Sequence, residues 1–256
     1  MVYFTLTILL LSLGLFAGML ILYVAGHILR LRHLAAGSER EVSGAGIVEG
    51  AVFALLGLLL AFAFSGAASR FDDRRKLIVE EANAITTAYL RLDVLAPATR
   101  DELRAGFRDY LDARLRAYRA FPDLDAAKIE FARAEQVLQQ IWSKAVIATS
   151  GVQHTTLLLL PALNQMFDIA IARKAAEHTH PPWEIFAMLA GLCLLGAFIA
   201  GYAMGPSKRN WIHILTFASA LASAFYLIID LEYPRFGLIR VDAFDEFLID
   251  VRQSMR

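Results

Sequence analysis

The stretch from Ala51 to Leu92 sets the terms for the rest of the chain. It begins as AVFALLGLLLAFAFSGAAS and continues, without a proline, as RFDDRRKLIVEEANAITTAYLRL. The first half is membrane-like and the second half is charged. Gly57 and Gly66 fall in the apolar half, where glycine is tolerated. The pattern predicts one helix of about 60 Å, crossing a bilayer and then standing in water. Such a helix can line a pore, carry a signal or act as a strut.

Three other apolar runs support a membrane protein. Met1 to Gly26 carries no charge and gives about 39 Å of helix, enough to span with tilt. It lacks a basic leader and exceeds a signal-peptide core, so it reads as an uncleaved helix. Ile185 to Met204 and Trp211 to Ile229 complete a set of four spans. With 57% hydrophobic residues, the composition belongs to the membrane class. The formal net charge is zero, which gives no sign of a nucleic-acid partner. The single cysteine, Cys193, excludes a disulfide within the chain.

Between Arg70 and Trp183 lie 16 Lys/Arg and 15 Asp/Glu, so the middle of the chain is charged yet near neutral. It reads as all-α. Leu103, Phe107, Tyr110, Leu111, Leu115 and Tyr118 recur at helical spacing, introduced by a Thr99–Glu102 capping box. A second helix is expected from Ala126 to Ala148, burying Ile129, Val137, Ile141 and Trp142, and a third from Thr155 to Glu177, with Pro161 starting or kinking it. Ala243 to Met255 reads as a short amphipathic helix. The predicted architecture is an all-α polytopic membrane protein with four transmembrane helices and a helical soluble domain between the second and third. Residues 1–69 hold transmembrane helices 1 and 2, 70–183 the soluble domain, 184–230 helices 3 and 4, and 231–256 a polar tail.

No phosphate-binding glycine loop, zinc-spaced cluster or nucleophile elbow appears, so no enzyme activity, cofactor or metal is expected. His178 and His180 read either as metal ligands or as a border loop. Asp242, Asp245 and Glu246 read either as a cation site or as a solvated helix face. Cys193, Ala197, Gly201 and Gly205 recur every four residues, a small-residue stripe for close helix packing.

The sharpest pattern lies on the opening helix. Leu58, Phe62, Ser65, Ser69, Asp73, Lys76, Glu80, Asn83 and Thr87 span 29 residues in eight steps, close to 3.6 per step. That face is apolar within the membrane, hydroxylic at its exit and charged or polar beyond. Phe71, Ile78, Ile85, Tyr89 and Leu92 occupy the opposite side. Copies arranged around an axis would form an apolar constriction at Leu58 and Phe62, passing Ser65 and Ser69 into a vestibule. Apolar constrictions gate by dewetting. Ordinary amphipathicity of a helix packed on a soluble domain gives the same spacing.

Here the sequence resembles a known family. Phe53 to Ala61, Ala67 to Arg70 and Arg75 to Leu77 look like the second transmembrane helix of bestrophins. The chain is similar to a bacterial bestrophin-like family, a domain of unknown function, through Val79 to Asp93, Leu158 to Ala170, Gly201 to Gly205 and Asp230 to Val241. Bestrophins are homopentameric ion channels with four membrane helices per subunit. The resemblance implies a homo-oligomer in the lipid bilayer, conducting an unidentified ion along an axis lined by the second helix. Aligned on Gly57, the bestrophin neck falls on Leu58 and Phe62; its third position falls on Gly66, where bestrophins carry a bulky aromatic, which leaves the neck open there or moves the constriction to Phe64. Asn164 and Asp168 match the family's L-N-x-M-x-D run, either as vestibule groups or as a hydrogen-bonding tie between helices. A non-conducting scaffold or sensor is the alternative.

Four spans place both termini and the soluble domain on one side. The short loops carry Arg30, Arg32, Arg40, Lys208 and Arg209, which with an uncharged N-terminus favours those loops in the cytoplasm. The resemblance favours a cytoplasmic soluble domain at the bacterial inner membrane, and that placement is adopted.

Overall fold

The computed structural model describes residues 2–36, 45–204 and 211–255. Eight helices account for nearly all of them: α1 (Val2–Ala35), α2 (Ala45–Arg91), α3 (Pro97–Ala120), α4 (Leu124–Thr149), α5 (Gln153–His178), α6 (Trp183–Ala203), α7 (Trp211–Glu232) and α8 (Glu246–Ser254). No strand occurs among the described residues. Four stretches are long and apolar enough to cross a membrane: Phe4–Ala35, Gly46–Val94, Gln153–Ala203 and Trp211–Glu232. The second has its apolar part before Arg70, and α6 is the apolar part of the third.

The chain forms two compact units. One comprises Val2–Ser69 and His180–Tyr233; the other comprises Arg70–Thr179 with the tail from Pro234. α2 is the single helix that contributes to both.

In the first unit α1, α2, α6 and α7 share a core of Leu15, Met19, Leu56, Leu189, Cys193, Ala197, Ala218 and Phe225. Leucine gains nothing by leaving lipid for another leucine, so packing in a membrane depends on close approach. Glycine supplies it here. A Cβ on Gly201 would collide with the Tyr23 carbonyl oxygen, and one on Gly26 with the Phe198 carbonyl oxygen. The backbones of α1 and α6 therefore touch at two levels. Cys193, Ala197 and Gly201 are buried along this seam, and Gly205 lies outside the described residues.

The second unit is built from the charged half of α2 with α3, α4, α5 and α8. Its core joins Ile78, Ile85 and Leu92 to Leu103, Phe107, Tyr110 and Leu111, and further to Ile141, Leu163, Met166 and Leu248. All six residues expected on the buried face of α3 are buried. The Asp123 side chain caps α4, accepting from the amides of Asp125 at 3.1 Å and Ala126 at 3.0 Å.

Three local expectations are corrected, and for Pro161 the reading as a helix start is set aside. Pro97 occupies the first turn of α3, where its missing N–H costs nothing, so the helix starts ahead of the Thr99–Glu102 box and Glu102 pairs with Lys144 at 2.5 Å. Ile129 is 69% exposed on α4; Ala127, Ala134, Leu138, Ile141 and Ala145 are the buried face. α1 continues through His27 to Ala35, because its arginines at the end of the helix complement the dipole. Pro161 lies well inside α5, which continues on both sides of it.

Two substitutions test these features. Gly201→Ala is expected to lower thermal stability in detergent by about 1–3 kcal/mol, since the obstructing atoms are backbone; Gly191→Ala, with nothing within 4 Å, is the neutral control. Asp123→Ala is expected to cost about 1 kcal/mol through the lost cap.

Candidate functional site

α2 divides cleanly by exposure. In the membrane-type unit Leu58 is 51% and Phe62 65% exposed, and Ser65 and Ser69 are exposed with them. Phe64 is also exposed, Gly66 is half-buried, and Leu56 and Ala67 are buried. In the second unit Asp73, Lys76, Glu80, Asn83 and Thr87 are all exposed, whereas Ile78, Ile85 and Tyr89 are buried. Every member of the 3.6-spaced face is thus uncovered in the single chain.

The charges on this face are unequal partners. Asp73 accepts from Lys76 at 3.2 Å, an exposed pair one helical turn apart. Glu80 has no ion-pair partner among the described residues, and Asn83 and Thr87 are neutral. The polar part of the face therefore carries one negative charge, Glu80, without an ion-pair partner among the described residues.

One residue along the helix, the environment inverts. Glu81 is fully buried. Its carboxylate receives Arg114 of α3 at 2.7 Å and Arg173 of α5 in a short contact, and the Tyr110 hydroxyl donates to it at 3.3 Å. Burial by itself would raise the Glu81 carboxyl, but the two guanidiniums outweigh it and hold the group below the usual carboxylate range. Burial raises the hydroxyls of Tyr110 and Tyr118, so both stay protonated.

The cluster extends to the tail. The guanidinium of Arg173 lies 4.5 Å from the Tyr118 ring centre, that of Arg235 4.3 Å and that of Arg114 5.2 Å. Arg235 is in turn held by Asp245 through two hydrogen bonds of 2.7 and 2.9 Å, and by Asp242 at 3.2 Å. Asp242 also pairs with Arg240. These acidic residues therefore hold the chain's own arginines. Arg252 adds a two-bond pair to Asp112 of α3, at 2.8 and 3.0 Å.

α2 and α5 run antiparallel in this unit and are tied at three levels by long side chains. Arg91 donates to the Leu158 carbonyl at 2.7 Å, Glu81 meets Arg173, and Arg74 donates to the carbonyls of Ala176 at 3.1 Å and Thr179 at 3.0 Å. Asn164 and Asp168 are exposed on the side of α5 away from Leu159, Leu163 and Met166. Neither makes a side-chain hydrogen bond among the described residues, so they do not tie two helices within the chain. His178 contacts the Lys174 carbonyl at 2.9 Å, and His180 stacks on Tyr233 and faces Glu232 at 3.6 Å; the two serve different neighbours.

Of the three charges that meet here, Glu81, Arg114 and Arg173, the sequence pattern marks only one. A signal for the first exists: Glu81 falls between Ile78 and Ile85 on the apolar side of α2, where a carboxylate must find a buried cation. Nothing in the spacing of α3 or α5 names the two arginines.

Glu81→Gln leaves two buried guanidiniums short of their counter-charge and is expected to cost about 3–5 kcal/mol. Because the folded carboxyl titrates below its unfolded value, its stabilisation is complete above the usual carboxylate range and is lost as pH falls from that range down through the lower folded value. Thermal unfolding across acidic pH is expected to show a steeper decline for the wild type than for Glu81→Gln.

The sequence profile of the Bestrophin-like domain matches residues 9–243. No curated protein matches the chain. Among solved structures, a single-substitution variant of a bacterial Bestrophin homolog from Klebsiella pneumoniae aligns with a TM-score of 0.69 at 15% identity, covering 95% of this chain and 98% of that one. A second variant of that homolog aligns with a TM-score of 0.70 at 14% identity over 95% and 98% of the two chains. A third structure of the Klebsiella homolog, obtained by Zn-SAD phasing, gives 0.67 at 17% identity over 94% and 98%. At these identities the structures establish a shared fold. Matched along almost its whole length, the chain belongs to the bestrophin-like family of membrane proteins.

Proposed function

We propose that the protein is an oligomeric ion channel whose conduction axis is lined by α2. One observation carries this reading. The face running from Leu58 through Phe62, Ser65 and Ser69 to Asp73, Lys76, Glu80, Asn83 and Thr87 is exposed throughout, although the opposite side of the same helix is packed. A lipid-facing helix has no use for hydroxyls at the membrane exit followed by charges at the same angular position. A water-filled axis does. Leu58 and Phe62 would form the hydrophobic gate, Ser65 and Ser69 the first polar ring, and the charged half of α2 the vestibule wall. Asn164 and Asp168 are further vestibule candidates.

The assembly is a homo-oligomer, pentameric by family resemblance, in the bacterial inner membrane with its charged unit cytoplasmic. Catalysis has no part in this reading. The alternative, a non-conducting scaffold or sensor, draws on exposed apolar side chains of the charged unit, Ile129, Ile147, Leu157 and Ile171, as a surface for another protein.

Purified protein in planar bilayers is expected to give single-channel currents. Phe62→Ala should raise the open probability several-fold by wetting the constriction, without a matching loss of thermal stability, because Phe62 is exposed in the chain. Silence of both proteins, with a monomeric mass in detergent, would overturn the channel reading.

A further inference from the structure

We propose that the Glu81–Arg114–Arg173 cluster is a positioning lock: it sets the rotation of the polar half of α2 and so fixes Glu80 on the conduction face as the charge that biases ion selectivity. This inference rests on the channel reading above and goes beyond it by assigning the residues that decide which ions are favoured.

The argument begins with angle. Neighbouring residues on an α-helix are about 100° apart. Glu80 and Glu81 therefore cannot share an environment, and only one of them can sit in the core. The apolar residues flanking Glu81, Ile78 and Ile85, choose the buried side, but apolar packing tolerates small rotations. A buried carboxylate does not, because its partners must stay within hydrogen-bond reach. Glu81 meets Arg114 from α3, Arg173 from α5 and the Tyr110 hydroxyl from α3. Bonds from two separate helices remove rotation about the α2 axis. The outer ties, Arg91 to Leu158 and Arg74 to Ala176 and Thr179, fix its slide along α5.

What the lock presents follows from charge. Lys76 pairs with Asp73 across one turn, whereas Glu80 has no ion-pair partner among the described residues. Repeated around an axis, Glu80 forms a negative ring that concentrates cations. Glu81 is a positioning residue: it is buried and acts on permeation only through Glu80.

The test is a double-mutant cycle on the full-length protein in planar bilayers under a KCl gradient, read as reversal potential. Glu80→Gln is expected to remove most of the cation bias. Glu81→Gln is expected to shift the potential the same way by at least half as much, and Glu80→Gln with Glu81→Gln no further than Glu80→Gln alone. A Glu81→Gln protein that loses thermal stability but keeps the wild-type potential overturns the lock, as do additive shifts or no shift from Glu80→Gln. Should Glu81→Gln fail to fold, Tyr110→Phe, which removes one bond to Glu81 and leaves every charge in place, must produce a shift in the same direction for the proposal to stand. A nitroxide on Asn83→Cys separates the two levels of inference. If the wild type carries no current, the channel reading fails. The lock then stands only if Glu81→Gln, or Tyr110→Phe in its place, broadens the label-to-label distances between subunits, and falls if they are unchanged.

Discussion

A carboxylate without water is tolerable only when cations reach it, and the charged unit is arranged around that requirement. Desolvating Glu81 and its partners costs several kcal/mol per ion, much of which their mutual attraction returns. The cluster therefore adds little or nothing to net stability, and its contribution is to definition. α3 must present Arg114 and Tyr110 at the level where α5 presents Arg173, and α2 must turn Glu81 toward both. Misregister by one residue would leave a buried guanidinium alone. The stacking of Arg173 and Arg235 against Tyr118 carries the same constraint to the tail, which Asp245, Asp242 and Arg252 fasten to the unit.

The membrane-type unit answers a different physics. Its helices gain little from apolar contact, so the α1–α6 seam relies on the absence of side chains at Gly26 and Gly201, which allows backbone-to-backbone approach. α2 passes from one regime to the other without a break. In the first it offers Leu56 and Ala67 to the packing; in the second it offers Ile78, Glu81 and Ile85.

Much of this was legible in the sequence because periodicity reports burial. The buried positions of α3, the division of α2 into two faces and the four apolar runs all follow from spacing. The failures have local causes. The hydrophobicity of Ile129 points it inward, yet α4 buries small residues such as Ala127, Ala134 and Ala145 where it approaches α3 closely. The capping-box pattern was sound chemistry pre-empted by Pro97. The lock was invisible for a deeper reason: Glu81, Arg114 and Arg173 lie far apart in the chain, and only the packing of α2, α3 and α5 shows that they meet.

On the channel reading, the departure at Gly66 acquires a physical meaning. Leu58 and Phe62 lie about 6 Å apart along the helix axis, little more than one turn. Half-buried Gly66 adds no side chain to extend that apolar belt, and exposed Ser65 ends it with a hydroxyl. A dewetted segment this short presents a lower barrier than one lengthened by an aromatic ring at a third level, because the barrier grows with the length of pore from which water must be excluded. The gate would then be weak on its own. Control of which ions pass would shift toward the charged half of α2, where rotation decides whether Glu80 is presented, and the rigidity of the unit that holds Glu81 becomes part of the permeation path.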